Sequence, residues 1–213
     1  MRSLGRGALC VLALVLLFVG LWHVGHGGWI YAKALLAQHL LHRAWARTLA
    51  GERDVRPWPW ADTWPVARIL VPAHGADLIV LDGVSGRTLA FAPGHAPGSA
   101  RPGAPGTAIV SGHRDTHFRF LKSLVPGDEI VVEAPGQPRA HFTVREATVV
   151  DARAAVIQRD AGVAALVLLT CYPFEAFTPG GPLRYVVAAE ATRAPSVPPP
   201  GRTTPRLPER PVW

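Results

Sequence analysis

The chain has 213 residues, 49% of them hydrophobic, and a formal net charge of +7. That hydrophobic share excludes a disordered protein, and the length suits one domain of ordinary size with extensions. Residues 1–50 carry +5 and residues 193–213 carry +3, leaving −1 on 51–192, so the middle of the chain lacks the basic face that a nucleic-acid partner requires.

In chain order, the first element is apolar. No charged side chain lies between Arg6 and Lys33, and this interval includes "ALCVLALVLLFVGLW". A bilayer-crossing helix needs about 20 such residues, so residues 1–32 are expected to form a membrane anchor. "AKA" at Ala32 to Ala34 has the form of a signal-peptidase site, but it lies far from the apolar centre, which favours a retained anchor. Basic residues flank the interval on both sides, so charge bias does not fix its orientation.

Next, "KALLAQHLLHRAWARTL" places Leu36, Leu40, Trp45 and Leu49 at spacings that predict one helical face, expected against the membrane or the domain. His39 and His42, with no further ligand nearby, read as a solvated pair rather than a metal site. "RPWPWADTWP" predicts an extended connector whose tryptophans suit a membrane surface or a groove cover. Residues 33–61 thus form a juxtamembrane helix and connector.

From Pro65 the pattern changes. "VARILVP", "DLIVLD", "GTAIVSG", "EIVVEA", "HFTVREATVV", "VAALVLLT" and "RYVVAAEA" are Val- and Ile-rich runs bounded by Gly, Pro or Asp, the pattern of strands at short spacing. About eight such strands predict an all-β barrel or sandwich. "FAPGHAPGSARPGAPG" is expected to be an irregular surface loop, and "THFRFLKSL" to form one helical turn. Residues 193–213, rich in Pro and Arg, predict an extended tail.

Only Cys171 can bring a thiol to the β-rich part, because Cys10 lies in the apolar segment. A lone cysteine ending the apolar run "LVLLTC" reads as a buried core residue or as a nucleophile with a histidine distant in sequence. His113, leaving another strand in "GTAIVSGHRDTHF", is the best partner. His113 and His117 at i and i+4 also suggest a zinc pair. However, Arg114 stands where a zinc protease places its catalytic glutamate, so no metal is expected. Arg184, at the start of the last strand, is ordinarily a solvated residue. Beside a cysteine and a histidine it can stabilise the oxyanion formed when an amide is attacked.

Together, "SGHRDTHF", "LLTCYPF" and "PLRYVV" resemble the sortase family of cysteine transpeptidases over roughly residues 62–192. The "LLTC" and "GHRDT" forms fit the groups of that family in which the histidine is followed by Arg-Asp, and the arginine-rich, lysine-poor composition suggests a GC-rich bacterial source, where sortases of the Gram-negative type occur. The resemblance implies a sortase-like β-barrel, about eight strands with short helical segments, behind an N-terminal transmembrane helix. Cys171 then falls on the nucleophile, His113 on the acid/base, Arg184 on the transition-state arginine and Thr170 on the threonine before the cysteine, where substrate binds. It also implies cleavage of an LPXTG-like sorting signal through a thioacyl-enzyme, with transfer to an amine and no cofactor. The implied partners are a sorting-signal-bearing protein, an amine acceptor and the membrane, with no nucleic acid. The implied location is the cytoplasmic (inner) membrane, with the catalytic domain on its extracytoplasmic side. The acidic loop residues that bind calcium in some sortases are not evident, and the tail is not part of the pattern. Two rival readings are a cysteine peptidase that only hydrolyses and a non-catalytic, membrane-anchored envelope β-domain.

Overall fold

The computed structural model describes residues 2–154, 163–176, 178 and 180–192, with side chains from Val11 onward. The expected tail at 193–213 lies outside the described residues. The strands are β1 (Pro65–Val71), β2 (Ala76–Asp82), β3 (Gly94–His95), β4 (Thr107–Ser111), β5 (Glu129–Glu133), β6 (Ala140–Asp151), β7 (Ala165–Cys171) and β8 (Leu183–Ala191). They close into a barrel in the order β1-β2-β3-β4-β7-β8-β6-β5, with β5 pairing back onto β1. The pairs β2–β3 and β4–β7 are parallel and the rest antiparallel.

Period-two alternation turns Ala108 and Val110 of β4, Leu166 and Leu168 of β7, and Val187 and Ala189 of β8 into one interior cluster with Ile69, Val132 and Phe142. Burying each large member contributes about 1.5–3 kcal/mol, and closing the sheet leaves no free edge. The helical turn expected at "THFRFLKSL" is a 3-10 turn, Arg119–Ser123, which drops Phe118 and Leu121 into the barrel.

Two expectations need correction. The segment expected to be an irregular loop contains β3, which bridges β2 to β4 and without which the barrel would not close. Two residues are too few to show a period. Gly94 is there because the backbones nearly touch: a Cβ would lie 2.0 Å from the Gly83 carbonyl oxygen.

The second correction concerns the docked face of the N-terminal helix, α1 (Arg2–Leu49), which is continuous through residue 32. Its described part includes a stretch apolar and long enough to cross a membrane. The docked face is Ala37, Leu41, Ala44, Trp45 and Thr48, while Leu36 and Leu49 are exposed. Leu41 and Trp45 pack on Ile79 and Leu81 of β2 and on Ala92, with Trp58 at the margin. The connector therefore covers this joint: Trp58 meets Phe91 edge-on at 4.7 Å between ring centroids.

Candidate active site

The outer face of β7 follows from the inner one. Leu166, Leu168 and Thr170 point into the barrel, so Val167, Leu169 and Cys171 point outward. Cys171 lies directly opposite Arg184 in the antiparallel β7–β8 register, which puts both side chains on the same face at the same end of the pair. Cys171 is a free, partly exposed thiol. The Arg184 guanidinium donates from Nη1 to the carbonyls of Gly181 (2.7 Å) and Leu183 (2.8 Å), so its head is anchored beside the strand end.

His113 reaches this rim through β4. The parallel β4–β7 register carries Ser111 to Leu169, and the Gly112 N–H donates to the Leu169 carbonyl at 3.1 Å. Thr170, expected at the substrate, turns inward instead and is 2% exposed. Its hydroxyl donates to the Gly112 carbonyl at 2.7 Å. The residue before the cysteine is thereby bonded to the residue before the histidine. A short buried bond of this kind fixes two strand ends against each other, because breaking it strands a carbonyl away from water. His113 itself is exposed, and its carbonyl accepts the Phe118 N–H at 3.0 Å, closing the turn that follows.

Gly112 was not singled out in the sequence, although its position between strand and histidine was visible. A Cβ there would lie 2.8–2.9 Å from the Phe118 ring, which is fully buried and has nowhere to go. Gly112→Ala is therefore expected to cost about 1–3 kcal/mol through overpacking and to displace His113. A thermal melt alongside an activity assay checks both effects.

His117, the second histidine of the motif, is partly buried. Burial holds its imidazole below the ordinary range and nearby His113 adds to this, while its hydrogen bond to the Phe91 backbone and nearby Asp115 oppose. Gln38 of α1 donates to the Phe91 carbonyl at 2.9 Å. One short segment thus meets both the N-terminal helix and the histidine turn.

Along the same outer face, at the other end of β7 and β8, lies a cleft of about 540 Å³ lined by Thr107, Val163, Val167, Ala188 and Glu190 among others. Cys171, Arg184 and the His113 turn occupy one rim of the barrel, and this cleft lies toward the opposite end, reaching Val167 on β7.

The Sortase domain family model matches residues 69–192 of this chain, more than half its length. The chain belongs to the sortase family. Among curated proteins it is 29% identical over 117 residues to Sortase D of Bacillus subtilis (strain 168), a match covering 55% of this chain and 59% of that one. This sortase therefore spans less than two thirds of that relative. Among solved structures, sortase C-1 from Actinomyces oris is 29% identical, with a TM-score of 0.54 over 61% of this chain and 74% of the other. Sortase A from Corynebacterium diphtheriae, 24% identical, has a TM-score of 0.56 over 70% of this chain and 67% of its own. At that identity the likeness speaks to the fold, which agrees with the eight-stranded barrel expected from the sequence.

Proposed function

We propose that this sortase is a membrane-anchored cysteine transpeptidase, and the observation that carries the reading is the pairing of Cys171 with Arg184 across β7 and β8. The thiolate of Cys171 attacks the carbonyl of the Thr-Gly bond in an LPXTG-like sorting signal. Arg184 stabilises the oxyanion that forms, and a guanidinium already anchored to backbone carbonyls spends little freedom in doing so. His113 protonates the departing amine, leaving a thioacyl-enzyme. An incoming amine gives its proton to His113 and resolves that intermediate into a new amide. Thr170 acts through the Gly112 carbonyl, as a positioning residue for the His113 turn.

The outer face of β7 leading up to Cys171 suits the signal itself. Five extended residues span about 17 Å, which fits within the roughly 23 Å of a seven-residue strand such as β7. The apolar, uncharged part of α1 serves as the anchor, with Lys33 over the Trp29 ring (5.4 Å) at its boundary. In this reading the catalytic domain stands on the extracytoplasmic side of the cytoplasmic membrane, where it meets sorting-signal-bearing proteins and an amine acceptor.

The test uses the full chain in detergent, mixed with a panel of LPXTG-like peptides with and without hydroxylamine, and followed by intact mass. An acyl adduct mapped to Cys171 and a hydroxamate product support transfer. Peptide acid as the sole product, even with amine present, would move the reading to a hydrolase. A wild-type chain with no adduct on any peptide would overturn it.

A further inference from the structure

Arg114 directly follows His113, yet its head group belongs to a different loop. Its Nη2 donates to the carbonyls of Ala176 (2.8 Å) and Thr178 (3.1 Å). Both lie in the segment that leaves β7 at Cys171 and returns to β8 one residue before Arg184. The guanidinium therefore spans the seam between the two loops that flank the site. Its Nη1 is buried with no partner among the described residues, a cost tolerated where the arrangement holds something in place. The seam encloses a cavity of about 250 Å³ lined by Arg114, Asp115, Arg119, Lys122, Phe174 and Glu175. Lys122 and Glu175 face each other across it at 3.7 Å, but both are exposed, so that pair contributes little. On the barrel side, Phe174 rests edge-on against Tyr185 at 5.2 Å between centroids, which holds the near end of the loop. Among the described residues, Arg114 holds the middle of the loop, at Ala176 and Thr178.

We propose that Arg114 is a positioning residue that holds the β7–β8 loop against the His113 turn, and that this closure decides whether an acyl group on Cys171 passes to an amine or to water. The inference rests on the thioacyl reading above. In transfer, the C–N bond forms as the C–S bond breaks, one amine proton leaves to His113, and the thiolate is released. In hydrolysis, water takes the amine's place and the product is a carboxylic acid. The same groups act in both, so the outcome depends on which nucleophile the walls admit. A loop tied down by two carbonyls limits water and keeps the seam shaped for a larger amine.

Arg114 acts through the loop rather than on the reacting atoms, so its loss should change the partition more than the acylation. In R114A, the ratio of hydroxamate to peptide acid is expected to fall roughly 10- to 100-fold, with a raised KM for hydroxylamine. The rate of Cys171 adduct formation should stay within a few fold. R114K keeps the charge but is a point donor that cannot match the planar fork, so it should lie between R114A and wild type. Added guanidinium ion should restore part of the transfer in R114A. R139A, an exposed arginine paired with Glu133 on the β5 side of the barrel, should leave the ratio unchanged. If R114A does not fold, R114K carries the test in the same direction.

A wild-type product ratio in R114A and R114K would overturn the assignment. So would an equal fall of adduct formation and both products, which is what a purely structural residue gives. A wild-type chain that forms no adduct overturns the transpeptidase reading with it, so the two failures are distinguishable.

Discussion

Cys171→Ala is expected to abolish the acyl adduct and all turnover, while Arg184→Ala lowers kcat by about 10²–10³ with the adduct still detectable. In the proposed mechanism the first loss is complete because the cysteine forms the covalent bond, and nothing else on the outer face of β7 or β8 near it offers a thiol or comparable nucleophile. The second is partial because the arginine lowers a barrier without making a bond. Both variants should fold. Cys171 is only half-buried and its outward position leaves the interior cluster intact, and the Arg184 head bonds loop carbonyls at the surface. Near-wild-type unfolding temperatures beside these kinetic losses would separate chemistry from structure. Wild-type turnover in either variant would remove that residue from the site. His113 offers a third comparison: with an activated ester substrate, whose leaving group needs no proton, the loss in His113→Ala should shrink.

The second large effect lies far from the thiol. Trp45→Ala is expected to cost about 3–5 kcal/mol, lowering the unfolding temperature of the full chain in detergent by roughly 10 °C or more. Trp45 is 4% exposed and fills the joint between α1 and β2 with Leu41. Its indole N–H is buried with no partner among the described residues. Trp45→Phe discards that unpaired donor with little of the volume, so its cost should be much smaller. Leu49→Ala, on the exposed face, should stay within about 0.5 kcal/mol. If Trp45→Ala melted like wild type, the helix would not be docked on the barrel. Removal of residues 1–50 has a related consequence. It would uncover Ile79, Leu81 and Ala92, so a soluble form beginning at residue 51 is expected to aggregate more readily than one beginning before Ala37.

Much of the barrel was legible because strands bury one face. Leu166, Leu168, Val187 and Ala189 alternate with outward residues, and the Val- and Ile-rich runs marked seven of the eight strands. The eighth, Gly94–His95, was hidden because it is held by backbone proximity to Gly83, and a glycine carries no hydropathy signal. The helix face was misjudged by one position for a related reason. Counting large apolar residues selected Leu36, Leu40 and Leu49, whereas the buried stripe contains the small residues Ala37, Ala44 and Thr48 beside Leu41 and Trp45.

At the site, Cys171, His113 and Arg184 stood out as residues at successive strand ends, and the register brings Cys171 opposite Arg184. The inward turn of Thr170 was implicit in the same alternation: if Cys171 faces out, its neighbour faces in. The Arg114 bridge was not readable, because its acceptors are main-chain carbonyls supplied by Ala176 and Thr178, and no side-chain pattern encodes them.

The unbroken course of α1 bears on reach. From Lys33 to Trp45 the helix climbs about 18 Å at 1.5 Å per residue, and its last turns are bolted to the barrel. With no hinge along that stretch, the rim carrying Cys171 behaves like a lamp on a fixed bracket rather than a float on a line. Under the proposed anchoring, that rim keeps one height above the bilayer as the anchor diffuses, and a target must present its signal at that height to be worked on.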